Sequence, residues 1–377
     1  MGIYIYLDVS FSVTREEWEA VYLETLELVN VFPLCEVVRE EIEGEAVCRM
    51  EKSRERVLDE DGNIGWRASG DLENLKGAEE FILPKKLFTA MGELGDEILE
   101  DDIDALIGQA AYEGVIRYND KRRCNLEKIW AGNTMGEKYH LYVLAIACLI
   151  VDRLGKKTSV YGNITAGQCR RAVRMANAYL SRPIRVPPQC DLRRFAERVF
   201  KMSLSGSEAM EFYMQGYLGK RTEETGRCAA LYFSKEQIQG YWLSRLKRYP
   251  VGSIGYQEIL CEYITEGYEL DDLCSMVKLL EPAEVKGQYY KNVIESILEL
   301  RIHHKKAGVN KTAWIDQDDE EPYGVGEILG QVLFEEKMRY PERYIPLESI
   351  VYVLTKELGE RCPIAEIFQD YLRREEE

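Results

Sequence analysis

The sequence predicts an α+β protein, a small N-terminal sheet with helices followed by a mostly α-helical remainder. Three observations carry this. Residues 3–9 (IYIYLDV) are β-branched and aromatic almost throughout, and similar runs recur before residue 70. From Leu72 onward apolar residues return at helical spacing and strand signals become rare. Residues 141–151 carry no charge, so a helix there has no solvent face and must be wrapped by the rest of the chain.

After the first strand, Thr14 and Glu17 stand at capping-box spacing. Trp18, Val21, Tyr22, Thr25, Leu28 and Val29 then keep the helical period up to Phe32 and Pro33. Residues 36–42 and 45–50 read as strands turning at Gly44; residues 57–70 read as a turn tipped by Asp61 and Gly62, with a strand near Trp66. Residues 94–111 read as an acidic helix holding Glu97, Glu100, Asp101, Asp102 and Asp104. Thr134 with Glu137 repeats the capping box and opens the core helix, which Gly155 ends. Charges bound this apolar run well short of the roughly 20 residues a membrane span needs.

Residues 157–161 read as a short strand, and Thr165 with Gln168 caps the next helix. Pro183, Pro187 and Pro188 keep residues 181–189 extended. Helices are expected over 192–200, 206–218, 234–248, 256–265, 270–280 and 286–306. Beyond an acidic linker at 316–322, further helices are expected over 325–338, 347–358 and 363–374. The domain reading is 1–130 for the α+β region, 131–205 for the central helical core with its basic cluster, and 206–377 for the helical C-terminal region.

A net charge of −17 excludes a whole-surface binder of nucleic acid or anionic membrane, which needs positive potential. Tyrosine outnumbers phenylalanine 24 to 10, so many rings must place a hydroxyl at the core boundary. The opening MGIYIYLD has no basic segment or cleavage site, which points to a cytosolic chain, and the ten cysteines then read as reduced thiols. None forms a CxxC or a zinc-type spacing, and no phosphate-loop, dinucleotide, HExxH or GxSxG motif occurs.

Three constellations could carry chemistry. Asp8, Ser10 and Ser12 form D-x-S-x-S at the end of the first strand, where turn and cap residues ahead of Thr14 are also expected. His140, Cys148 and Cys169 offer a Cys/His nucleophile pair, or else buried thiols acting as small hydrophobes. His303 and His304, beside Lys305 and Lys306, suit the negative end of a helix. In a chain this acidic, Arg170, Arg171, Arg174, Arg182, Arg185, Arg193, Arg194, Arg198 and Lys201 face only Asp191 and Glu197 over their span. They read either as partners of the acidic helix at 97–104 or as an anion site for a phosphate, a nucleotide or an acidic partner. Tyr179, Phe195 and Phe200 offer stacking surfaces for a base.

The D-x-S-x-S motif resembles the metal-binding motif of von Willebrand factor A domains, over the first strand, loop and helix only. The resemblance implies a Mg²⁺ ion on Asp8, Ser10 and Ser12, with Thr165 as a further ligand; the T-D-G segment of that family has no counterpart here. Over much of its length, through YIYLDVS, EEW, YHLYVLAIACLIVDRLG and YGNITAGQC, the chain resembles a family of uncharacterised bacterial proteins, which implies a bacterial cytosolic origin and no particular activity. The expectation is a non-enzymatic cytosolic protein without membrane partners that binds a protein or a small anionic ligand through the arginine stretch. The alternatives are a Mg²⁺-dependent A-like binding domain and a Cys/His enzyme; otherwise no cofactor is expected.

Overall fold

The computed structural model describes residues 2–42, 45–87, 103–283, 286–304, 341 and 343–376. It is an α+β protein in which, among the described residues, every strand lies before residue 163 and thirteen α-helices occur. These residues fall into two compact units, one of those up to 204 with 212–219, the other of 205–211 and those from 220 on.

In the first unit β1 (Tyr4–Ser10) runs between β7 (Leu126–Asn133) and β8 (Thr158–Gly162), antiparallel to both. A second antiparallel sheet has the order β3 (Glu45–Lys52), β2 (Leu34–Ile42), β5 (Ile64–Asp71), β4 (Arg56–Val57), with β6 (Lys76–Pro84) also on β5. Alternation along β1 puts Ile5, Leu7 and Val9 into the core and Tyr4, Tyr6, Asp8 and Ser10 on the other face. Helix α1 (Arg15–Val31) starts with the expected Thr14–Glu17 capping box and buries the expected stripe from Trp18 to Val29. Three indole N–H groups tie the layers together: Trp18 donates to Pro84 O (3.1 Å), Trp66 to Thr25 Oγ1 (3.1 Å) and Trp130 to Ile82 O (2.7 Å).

Helix α3 (Tyr139–Leu154) is the core helix, buried from Leu141 to Val151 except at half-buried Tyr142. Gly155, at φ 60°, stops it. It packs on β8, on α1 and on α4 (Ala166–Asn177), which Thr165 and Gln168 cap as expected. Short α2 (Leu106–Tyr112) lies against β8, and α5 (Leu192–Lys201) follows the extended proline stretch. The second unit is helical: α7 (Glu223–Tyr232), α8 (Lys235–Leu246), α9 (Ile254–Thr265), α10 (Leu270–Leu279), α11 (Lys286–Glu299), α12 (Leu347–Leu358) and α13 (Ile364–Glu376). The boundary between units falls within α6 (Gly206–Gly216). No described helix is long and apolar enough to cross a membrane.

Several local expectations are corrected. Thr134 does not cap α3: its hydroxyl bonds Ile3 O (3.1 Å) and His140 Nδ1 (2.8 Å), and a turn through Met135 and Gly136 delays the helix to Tyr139. β6 and β7 lie where helix was expected; each carries charged residues, and a bulge opposite Leu7 and Asp8 breaks the alternation of β7. Helix α7 was not anticipated, and His303 and His304 sit in a turn past α11. The Gly44 turn, residues 94–102 of the expected acidic helix, the linker at 316–322 and the helix at 325–338 lie outside the described residues.

Candidate functional site

The D-x-S-x-S residues close in on themselves. Asp8 Oδ2 accepts a 2.7 Å bond from the Tyr161 hydroxyl, and the Ser10 and Ser12 hydroxyls share one of 2.9 Å. Thr165 Oγ1 accepts from Gln168 N (3.1 Å) as the cap of α4. Asp8 Oδ1 is buried without a hydrogen-bond partner. Burial raises the Asp8 pKa against the Tyr161 bond and the nearby Lys128 and Arg123 charges. Mg²⁺ demands a near-complete octahedron of oxygens, and one open carboxylate oxygen beside mutually bonded hydroxyls does not fit it. Among the described residues no group of three or more His, Cys, Asp or Glu is placed to hold a metal.

The arginines are spread over three elements. Arg170, Arg171 and Arg174 lie on α4, the first two half-buried and the third exposed. Arg182 pairs with Glu24 (3.1 Å) and Arg185 with Asp152 (3.1 Å). Arg198 meets Asp104 at 2.7 Å and also donates to Lys156 O and Thr158 O. Arg194 donates to Val186 O (2.9 Å), and burial lowers its pKa; Arg193 is exposed on α5. Arg194 and Arg198 thus help hold the first unit together, whereas Arg182 and Arg185 pair from exposed positions.

His140 is fully buried, and desolvation pushes its pKa down to about 4. Cys148 and Cys169 are buried free thiols, and Cys169 is pushed above the usual thiol range first by its contact with Cys148. An uncharged imidazole and a thiol pushed above its usual range are the opposite of an activated pair.

A site that the sequence reading did not anticipate lies in the second unit. Parts of α7, α8, the end of α9 and α10 wall a cavity of about 390 Å³. Trp242 from α8 stands edge-on to Tyr263 from α9 (ring centroids 5.3 Å) and to Tyr268 (5.4 Å), and the two tyrosine rings stack at 5.1 Å. Phe233, Ile238 and Met276 extend the apolar wall, and Glu223, Glu269 and Asp272 line it as well.

The same wall includes Glu266, the cap residue at the C-terminus of α9, followed by Gly267 at φ 84°. A helix C-terminus is the negative end of the helix dipole and repels a carboxylate. Gly226 lets α7 approach, since a Cβ there would come within 2.1 Å of Glu266 O. The Glu266 side chain is wholly buried and neither oxygen has a hydrogen-bond partner. Arg221 stands 3.6 Å away, beyond hydrogen-bond reach, and lies closer to Glu262 (3.3 Å). Desolvation outweighs Arg221 and raises the Glu266 pKa to about 8, with Glu262 adding repulsion. The ion pair is therefore incomplete at neutral pH. The Trp242 indole N–H and the Tyr268 hydroxyl are also buried without hydrogen bonds of good geometry.

The sequence signal for this site is weak: aromatic residues at helical spacing suit a core equally well, and one acidic residue after a helix is common. No protein-family model, no curated protein and no solved structure matches the chain.

Proposed function

We propose that the C-terminal helical unit binds a small organic ligand, without transforming it, in the cavity walled by Trp242, Tyr263, Tyr268 and Glu266. The observation that carries this reading is a wholly buried carboxyl with no hydrogen bond beside an aromatic cavity. Buried polar groups are nearly always satisfied by the protein itself, and an unsatisfied one costs about 1–3 kcal/mol. Ligand pockets share this composition, apolar walls with a few convergent polar groups. A cavity of about 390 Å³ suits a body of roughly 10 to 15 non-hydrogen atoms, since about 150 Å³ holds a benzene. Acid–base or nucleophilic catalysis takes a second group within hydrogen-bond reach, and none meets the Glu266 carboxyl.

An anion site at the arginine stretch has less behind it, because Arg182, Arg185 and Arg198 already meet Glu24, Asp152 and Asp104. We place the protein in a reducing compartment, which its ten free cysteines favour.

The test is ligand-observed NMR on the whole chain with aromatic fragments of cationic, neutral and anionic head, repeated on Ala230→Trp. Ala230 lines the cavity and is exposed, so the indole fills the opening without entering the core. Binding that the substitution abolishes, with an unchanged melting temperature, supports the site. Binding by no fragment, or equal binding by the filled variant, overturns it.

A further inference from the structure

We infer that the ligand's head is a protonated amine bearing at least one N–H, which donates to the Glu266 carboxylate. This rests on the binding reading above and specifies its ligand. The acids lining the cavity are Glu223, Glu266, Glu269 and Asp272, against Arg227 and Lys235. Those two cations are engaged, Arg227 with Glu223 (2.5 Å) and Lys235 with Asp272 (2.6 Å), and Arg343 takes Glu269 (2.8 Å). The acid left over at the wall is Glu266.

The rings suit the same occupant, because the faces of Trp and Tyr attract a cation and the attraction grows when water is excluded. A quaternary ammonium would satisfy the rings but not the carboxyl, since it has no N–H to donate. An alcohol donates a hydrogen bond but brings no charge. Only an N–H cation serves both. No hydrogen bond holds the Glu266 side chain, so turning it toward the cavity gives up only the 3.6 Å contact with Arg221.

The charged and titratable groups around Glu266 are Arg221 ahead of α7, Tyr241 and Arg245 on α8, Glu262 on α9, and Tyr268. Arg245 is committed to Glu262. The incoming ammonium therefore supplies the nearest fully available positive charge, and the Glu266 proton leaves to solvent. Below the Glu266 pKa of about 8, each bound amine releases one proton, and affinity rises about tenfold per pH unit up to that value.

The experiment is calorimetric titration of the whole chain with phenethylamine, phenethyltrimethylammonium and phenylethanol between about pH 6 and pH 9, on wild type and Glu266→Gln. The expected result is amine binding at least tenfold tighter than either analogue at the upper pH, with proton release shown by the dependence of the heat on buffer ionisation. Glu266→Gln should lose both the preference and the pH dependence. If none of the three binds, the cavity is not a ligand site and the underlying reading falls. If phenylethanol or the quaternary analogue binds as tightly as the amine, or if Glu266→Gln keeps the pH dependence, the ligand site stands and the amine assignment is overturned.

Discussion

Asp8 and Tyr161 meet in one 2.7 Å hydrogen bond between neighbouring strands, the tyrosine hydroxyl donating to Asp8 Oδ2 on the face of the sheet that α2 approaches. The bond favours the charged carboxylate, whereas burial favours the neutral one. Tyr161→Phe should therefore cost about 1–3 kcal/mol near neutral pH and less in acid, where Asp8 no longer needs the donor. Urea melts at two pH values check this, and a loss that grows on acidification would contradict it.

Close approach supplies a second prediction at the same place. A Cβ on Gly108 would lie 1.9 Å from Asp8 Oδ2. Asp8 is short, buried and tied to Tyr161, so it has little room to yield. Gly108→Ala should destabilise the protein by about 1–3 kcal/mol despite alanine's better helix propensity. A neutral or stabilising result in a denaturant melt would show that α2 moves aside.

The core helix was legible because eleven uncharged residues in a row leave one physical option, and Leu144 and Ile146 are indeed completely buried. Each should cost about 2–5 kcal/mol when replaced by alanine, through lost burial and the cavity left behind. A loss below about half a kcal/mol in urea would place this helix elsewhere.

Legibility followed how local the cause was. The Thr14–Glu17 and Thr165–Gln168 caps act within four residues and were readable, whereas Thr134 was drawn away by Ile3 O, 131 residues distant, and His140. β7 escaped notice because its pairing with β1 contains a bulge and its outer positions carry Glu127 and Lys128. The arginine stretch was visible as a reversal of charge, and Asp104 as a partner for it, whereas Glu24 and Asp152 come from segments to which nothing local pointed. The cavity was invisible for the same reason, since Trp242, Tyr263 and Glu266 acquire meaning only when α8 and α9 are side by side.

Among the arginines, Arg198 and Arg182 should separate cleanly. Arg198 and Asp104 are 11% and 12% exposed, so Arg198→Ala strands a largely buried carboxylate and should cost about 3 kcal/mol. Arg182 is 67% exposed, and Arg182→Ala should cost less than about 1 kcal/mol. Paired denaturant melts decide the matter; equal small losses would release Arg198 for a role in binding.

Glu266 gives the sharpest dependence on pH. Its pKa is raised from 4.5 to about 8 in the folded protein, chiefly by desolvation. Between those values the folded state holds a proton that the unfolded state has lost, so this group's contribution to stability is full below 4.5 and disappears as pH rises through about 8. Glu266→Gln keeps the shape of the neutral acid and removes the titration. Relative to wild type, the variant should therefore gain stability steadily with rising pH and level off above about 8. At about 1.36 kcal/mol for each pH unit, the gain across that window is on the order of 4 to 5 kcal/mol. Taking the difference between the two proteins at each pH removes the contributions of all other groups. A flat difference from pH 5 to pH 9 would mean that Glu266 is ionised throughout, held by Arg221 as a complete ion pair. A saturating amine should reverse the trend, because it binds the charged form and so stabilises wild type most where the empty protein is weakest.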